Sequence, residues 1–293
     1  MRRVLNAACS AIDSIRINAL SNEMRDGREV WVKRRRVGSH PIVHCANLFF
    51  RWAGNPVHVW GRTENWQQWE IHCFRLLNGD RFQVFADGPR AVCAENLPGV
   101  SLSDHLDEGR LTDDMLIAAA QECRRVHGIW CPELDGPWSH GDAHMANFLY
   151  DGAARRARLV DFEVMHQRHL PAEERHADDL LVFLQDMAGR LSDERWLPCA
   201  MCFIDAYGGP PGVLRALRER LVIRPGMASR MWWGIRTRYT KLAVLRRRVD
   251  SLREALGGPE REAGSSQREA GISPRELVHS GGELMGSQRP LLD

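Results

Sequence analysis

Residues 139–148 read Ser-His-Gly-Asp-Ala-His-Met-Ala-Asn-Phe, and Asp161-Phe162-Glu163 follows shortly after. Asp142 and Asn147 stand five apart. A carboxylate at the first position can orient a hydroxyl and accept its proton, while an amide and a second carboxylate, Asn147 and Asp161, suit a hard, oxygen-seeking cation such as Mg2+. The neutral amide ligates without placing another repelling charge beside Asp142. Gly141 tolerates the backbone of a tight loop, His140 can pack beneath it, and His144, two residues beyond Asp142, is placed to donate to a phosphate. Together these residues fit transfer of a phosphoryl group from a nucleotide to a hydroxyl. Two plainer readings compete. One is a set of polar turn residues with no joint task. The other is a transition-metal site of His140, Asp142 and His144, which leaves Asn147 and Asp161-Phe162 unexplained.

Phosphoryl transfer also needs a cation for the phosphates, and lysine is scarce in this chain. Of forty basic residues only Lys33 and Lys241 are lysines. A compact ammonium on a flexible stem suits a point contact with phosphate, and Lys33 is placed to supply it. A solvated strand end is the plainer reading of Lys33-Arg34-Arg35-Arg36.

The elements that would carry these residues are legible in outline. Residues 14–20 and 29–36 read as a hairpin about a polar turn from Asn22 to Gly27, with Val30 and Val32 on one face and Trp31, Lys33 and Arg35 on the other. From Val37 to Thr63 the periodicity is broken by His40, Pro41, His44, Gly54 and Pro56, and the stretch reads as an irregular linker or insertion with a strand at 57–60. A helix then opens on Asn65 with Gln68 as a capping box; Trp66, Trp69, Cys73, Phe74, Leu76 and Leu77 form its apolar face, and Asn78-Gly79-Asp80 ends it. Glu70 lies at the edge of that face, so its carboxylate is expected to point toward the sheet. Residues 81–86 and 90–95 read as strands, and Leu97-Pro98-Gly99 breaks the chain. Thr112 caps a further helix with Met115, Ala119, Cys123 and Val126 inward. Residues 147–150 and 157–161 form a small hairpin, and helices dominate from Asp178 to Leu256. Asp178 and Asp179 either brace the catalytic loop or serve as an N-cap.

Composition bounds the rest. With 293 residues, 44% apolar content and a net charge of +2, the chain fits a soluble globular protein and favours no nucleic-acid partner. No apolar run reaches transmembrane length, and eight cysteines without a paired framework suit a reducing compartment, so a cytoplasmic location is expected. Cys199 and Cys202, the one C-x-x-C pair, read as structural thiols. Between residues 215 and 254 eleven arginines and Lys241 stand against Glu219, Asp250 and Glu254, a segment suited to peripheral contact with an anionic membrane. Trp232 with Arg230, Arg236 and Arg238 suits a sugar or an anionic head group, helix packing with exposed arginines being the simpler account.

At His140-Gly141-Asp142-x-His144-x-x-Asn147 and Asp161-Phe162-Glu163 the chain resembles the protein-kinase-like superfamily, in its branch of aminoglycoside and choline phosphotransferases and lipopolysaccharide-core sugar kinases. The resemblance spans roughly residues 28–250, the loop and triplet being its sharp parts. It implies an α+β, bilobed protein-kinase-like fold: a small N-lobe over 1–95 with an antiparallel sheet and one helix, and a mainly helical C-lobe over 96–256. A disordered tail is expected over 257–293. It further implies ATP and Mg2+ as cofactors, with Asp142 and His144 catalytic and Asn147 and Asp161 on the metal. Lys33 would contact the phosphates with Glu70 as its partner, and adenine would pair with backbone near Glu95 and Leu97. No G-x-G-x-x-G precedes Lys33, which departs from the protein-kinase pattern. The implied activity is phosphorylation of a hydroxyl on a small molecule or sugar, lipopolysaccharide-type glycans included. A serine/threonine protein kinase and a catalytically silent nucleotide-binding pseudokinase are the alternatives.

Overall fold

The computed structural model of the chain describes residues 17–238 and 240–257. Strands β1 (Asn18–Arg25) and β2 (Arg28–Arg35) form an antiparallel hairpin. Their connection is only Asp26-Gly27, with φ of 50° and 75°. Two left-handed residues match the twist of the flanking strands, so Asn22 to Arg25, expected in the turn, continue the ladder instead.

The stretch expected to be an irregular linker contains helix α1 (His40–Ala53). Pro41 sits in its first turn, where a missing N–H breaks no helical hydrogen bond. Gly54, at φ 67°, closes the helix, its N–H bonding to Arg51 O at 3.1 Å and that of Asn55 to Phe50 O at 2.8 Å. Strand β3 (Val57–Val59) follows. Helix α2 (Thr63–Asn78) starts ahead of the expected capping box; Asn65 lies inside it, and its N-cap Arg62 makes no side-chain cap. Trp66, Trp69, Glu70, Cys73, Phe74 and Leu77 are buried on its inner face, and Gly79 ends it at φ 61°. Strands β4 (Val84–Ala86) and β5 (Ala91–Glu95) complete a four-stranded sheet in the order β1-β2-β5-β4.

Beyond β5 the chain passes Gly99, where a Cβ would lie 2.6 Å from the Tyr150 carbonyl oxygen, a contact only glycine avoids. It enters β6 (Val100–Ser101), α3 (Leu102–Asp107) and α4 (Asp113–Val126). Strands β7 (Trp130–Cys131) and β8 (Gly136–Pro137) pair with each other. Next come β9 (Phe148–Asp151), β10 (Arg156–Leu159) and β11 (Val164–His166). β9 lies between β10 and β6, and β11 pairs back onto β3. Helices α5 (Ala172–Arg190), α6 (Asp193–Tyr207), α7 (Pro211–Arg220), α8 (Met227–Arg236) and α9 (Leu242–Leu256) form the remainder. The architecture is therefore α+β, an antiparallel sheet with its helices first and a mostly helical part after it, with α1 in addition to the one helix expected beside the sheet.

Helix α5 begins at Ala172, so Asp178 and Asp179 lie inside it and neither is an N-cap. Nearly the whole of this helix is buried. Phe183 stacks on Phe203 with centroids 4.1 Å apart and meets the edge of Phe148 at 5.2 Å. Because Phe148 directly follows Asn147, this aromatic stack underlies the loop. Val30, Val32, Ala91 and Cys93 form a separate small cluster on the sheet. No helix among the described residues is long and apolar enough to cross a membrane. The expected tail from Gly257 lies, beyond its first residue, outside the described residues.

Phe183→Ala removes the ring at the centre of this stack and is expected to cost about 3–5 kcal/mol. For a chain of this size that lowers the midpoint of thermal unfolding by roughly 6–10 °C, measurable by calorimetry.

Candidate functional site

Residues 33, 70, 161 and 163, far apart in the chain, meet on one ammonium. Lys33 Nζ, on β2, lies 3.0 Å from Glu70 Oε2 and 3.0 Å from Glu163 Oε1, and also contacts Asp161 Oδ1. The lysine side chain is 12% exposed. Burial alone would depress its pKa, but the charges of Asp161, Glu163 and Glu70 outweigh burial and hold it above the usual lysine value. Glu70 responds in the opposite sense: burial raises its carboxyl, Lys33 opposes, Asp161 and Glu163 add to the rise, and it is pushed up to about 7. Arg35, buried nearby, also acts on Glu163 and Glu70, yet three carboxylates still outnumber these two cations. That is an environment for a further cation.

Glu70 also aligns the next segment, its Oε1 accepting the Phe162 N–H at 3.3 Å. Phe162 is buried against Trp138 at 5.9 Å and His140 at 5.6 Å between centroids. Asp161 is thereby held in the left-handed region at φ 70°, an arrangement costing about 1–2 kcal/mol for a residue with a Cβ. Its carboxylate remains 44% exposed.

The loop around Asp142 is fixed from beneath. Asp179 Oδ2 accepts the His140 N–H and Oδ1 the Gly141 N–H, each at 2.7 Å. Its Oδ2 also faces His127 Nε2 at 3.1 Å, and His127 Nδ1 lies 2.9 Å from the Tyr207 hydroxyl. Burial would raise the Asp179 carboxyl, but the His127 hydrogen bond and the nearby His166 and His140 hold it well below the usual range. Asp186 Oδ2 receives the Met145 N–H at 3.1 Å. Gly141 adopts φ 82°, and a Cβ there would press on Val164 Cγ1 at 3.2 Å and Val57 Cγ1 at 3.3 Å. The bracing role expected of Asp178 and Asp179 falls to Asp179, while Asp178 lies 3.2 Å from His166 Nε2.

Both ring nitrogens of His140 are engaged, Nε2 with Val160 O at 3.0 Å and Nδ1 with the Asp142 N–H at 3.2 Å. His140 has no lone pair left for a metal, which removes the His140-Asp142-His144 alternative. Asn147 is oriented by its amide, Nδ2 donating to Asp142 O at 2.9 Å, so that Oδ1 is the atom available as a ligand. Its backbone carbonyl accepts the Val160 N–H at 3.0 Å, fastening the loop to the strand end just before Asp161. An amide oxygen and a carboxylate are the hard donors that Mg2+ prefers, so the side chains fit that ion.

Asp142 has two neighbours of opposite character. Arg236 Nη1 contacts its Oδ1, and His144 Nε2 lies 3.7 Å from its Oδ2. Burial would raise the Asp142 carboxyl, but Arg236 and His144 outweigh it and hold it at about 2. His144 is anchored by Nδ1, which accepts the Ala146 N–H at 3.3 Å, leaving Nε2 toward Asp142.

Glu95 and Leu97 are not part of the Lys33 cluster. Glu95 lies three residues along β5 from Val92, the register partner of Lys33, or roughly 10 Å at the rise of a strand. Its N–H donates to Gln83 O at 2.8 Å, and its carboxylate accepts the Gln83 N–H at 3.1 Å. Leu97 is buried in the main core. Two site residues carried too little sequence signal. Glu163 was matched only as the third member of its triplet, and Arg236 was singled out with Trp232 for a sugar or an anionic head group, helix packing being the simpler account, with nothing to tie it to Asp142.

No family model and no curated protein matches the chain. Among solved structures it is similar to an ethanolamine kinase of Plasmodium vivax, at 10% identity and a TM-score of 0.45, over 84% of this chain and 81% of that one. It is also similar to a type VIII aminoglycoside-3'-phosphotransferase, at 14% identity and a TM-score of 0.37, over 80% and 98% of the two chains. A third similarity, to the bifunctional kinase-methyltransferase WbdD, has 16% identity and a TM-score of 0.38 and covers 86% of this chain and 50% of that one.

Asp179→Asn keeps the shape of the brace but removes its charge, and is expected to destabilise the fold by about 3 kcal/mol in urea denaturation. A loss below about 0.5 kcal/mol would mean the loop is held by other contacts. Glu70 gives a pH test. Its folded pKa of about 7 exceeds the unfolded value, so its contribution is complete at low pH and is lost as pH rises through 7. Glu70→Gln imitates the protonated carboxyl and does not titrate, so it should gain stability relative to wild type from pH 5.5 to pH 8; a variant that loses ground to wild type as pH rises would contradict the assignment.

Proposed function

We propose that the protein is an ATP- and Mg2+-dependent phosphotransferase that phosphorylates a hydroxyl group of a small molecule or sugar. The observation that carries this reading is the convergence of Glu70, Asp161 and Glu163 on Lys33 beside a loop that presents Asp142 and Asn147. A structural ion pair needs one carboxylate; a site built to hold phosphates and a divalent cation has use for the surplus.

In this reading Lys33 binds the phosphates of the nucleotide and Glu70 keeps it aimed, with adenine pairing near Glu95 and Leu97. Asn147 and Asp161 would hold Mg2+, which supplies charge neutralisation at the phosphates when bound. Asp142 orients the acceptor hydroxyl and receives its proton. Held at about 2, its carboxyl is ionised throughout the neutral range, so it is an acceptor for that proton without prior titration. His144, anchored through Nδ1, presents Nε2 to the transferred group. The Phe162 contact and the Asp179 brace fix the two halves of this arrangement relative to each other, the positioning that phosphoryl transfer chiefly requires. Only fourteen residues separate Glu163 from Asp178, and they include β11, which leaves little chain for a long peptide-binding segment and favours a small acceptor.

Asp142→Asn should lower kcat by about 10²–10⁴-fold while Mg2+ and ATP still raise the unfolding temperature. Asp161→Ala should lose that Mg2+-dependent rise. Full turnover in Asp142→Asn, or nucleotide stabilisation indifferent to Mg2+ and to Asp161, would refute the proposal.

A further inference from the structure

Among the described residues Arg236 makes the one cationic contact to the Asp142 carboxylate from outside the loop, and its helix makes none of the bonds to the loop's backbone. Those come from Asp179, Asp186 and the internal bonds of His140 and Asn147. Arg236 ends α8 and lays its guanidinium against the face of Trp232, Cζ lying 4.5 Å from the ring centroid. Nη1 points at Asp142, and Nε is buried without a hydrogen-bond partner. A guanidinium is a planar fork of donors suited to a two-oxygen anion, and here part of the fork is unmatched. The carboxylate that should meet the acceptor hydroxyl is thus capped by a cation with donor capacity to spare.

The neighbourhood of that fork is aromatic. Phe50 meets Trp232 edge-on at 5.8 Å and Phe49 lies 6.3 Å from it. Trp52 is 6.0 Å from Phe49 and half exposed. These rings come from α1, so α1 and α8 together gather aromatic rings around Trp232, the ring that carries the guanidinium on Asp142. A sugar ring can lay a C–H face on such rings while an acidic substituent meets the fork. A cationic amino sugar would instead bring like charge to Arg236.

We infer that α1 and α8 form the acceptor site and that it takes an anionic sugar, whose carboxylate or phosphate is forked by Arg236 while Asp142 is released to the acceptor hydroxyl. This rests on the phosphotransfer reading and narrows it. In the reaction the acceptor oxygen bonds to the γ-phosphorus, the hydroxyl proton passes to Asp142, and the bond from the γ-phosphorus to its bridging oxygen breaks, its electron pair leaving on ADP. Arg236 forms and breaks no bond; it selects and positions.

The test uses the full chain with Mg2+ and a non-hydrolysable ATP analogue. Four probes that share a pyranose ring are titrated calorimetrically: D-glucuronate, D-glucose 6-phosphate, methyl α-D-glucoside and D-glucosamine. The anionic probes should bind at least about tenfold tighter than the neutral glucoside, with glucosamine weakest. Comparing glucuronate with the sugar phosphate separates a carboxylate from a phosphate site. In Arg236→Gln the preference for anions should collapse toward one while neutral binding and the nucleotide's own stabilisation persist; a mere clamp on α8 would weaken neutral and anionic probes alike. Should that variant fail to fold, the wild-type preference decides alone. Equal or tighter binding of the neutral or cationic probe, an anion preference that survives in Arg236→Gln, or no response to any probe with nucleotide bound overturns the inference. Absence of any nucleotide response overturns the phosphotransfer reading beneath it.

Discussion

A single buried ammonium ties the two parts of this molecule together. Lys33 belongs to the sheet, Glu70 to the helix packed on it, and Asp161 and Glu163 to the segment that follows the loop. A charge with so little exposure is tolerated only when paired, and here the pairing exceeds neutrality. Glu70 carries the consequence: burial raises its carboxyl, and the neighbouring Asp161 and Glu163 add to the rise against the pull of Lys33. A ligand set that brings a divalent cation together with phosphate anions could relieve that imbalance and draw on the same lysine.

Around this centre the remaining interactions convert loose segments into a fixed geometry. Glu70 reaches the Phe162 N–H, Phe162 packs on His140, and His140 reaches back to Val160. Asp179 anchors the loop to the deeply buried α5, which in turn rests on the stack of Phe148, Phe183 and Phe203. The left-handed backbone of Asp161 is held against its own preference by this chain of contacts, a cost consistent with a carboxylate that has to face an opening. Several arginines of the C-terminal helices are likewise engaged within the fold: Arg220 with Glu174 and Asp178, Arg248 with Asp193, and Arg236 with Asp142.

The loop was legible in the sequence because its residues are contiguous and chemically unusual, so spacing alone brings Asp142 and Asn147 together. Glu70 was legible as an acid on the edge of an apolar helical face, and Lys33 as a rare lysine on an alternating strand. Other features were hidden for physical reasons. Pro41 and Gly54 looked like breakers, yet each occupies the end of α1 where it is compatible with a helix, and Val43, Phe49 and Phe50 between them supply the apolar side. Polar Asn22 to Arg25 suggested a wide turn, although an edge strand tolerates such residues when a two-residue turn sets its register. The Asn65 capping box was overridden by tertiary packing that starts α2 earlier. The pairing of Arg236 with Asp142 spans 94 positions and had no local signature.

The most direct test of the central claim is a crystal structure of the protein with Mg2+ and a non-hydrolysable ATP analogue. The account predicts the metal at about 2.0–2.1 Å from Asn147 Oδ1 and an Asp161 oxygen, with Lys33 Nζ on a phosphate oxygen and still paired with Glu70. Nucleotide bound elsewhere, or Lys33 left wholly within its carboxylates while the metal avoids Asn147 and Asp161, would contradict it.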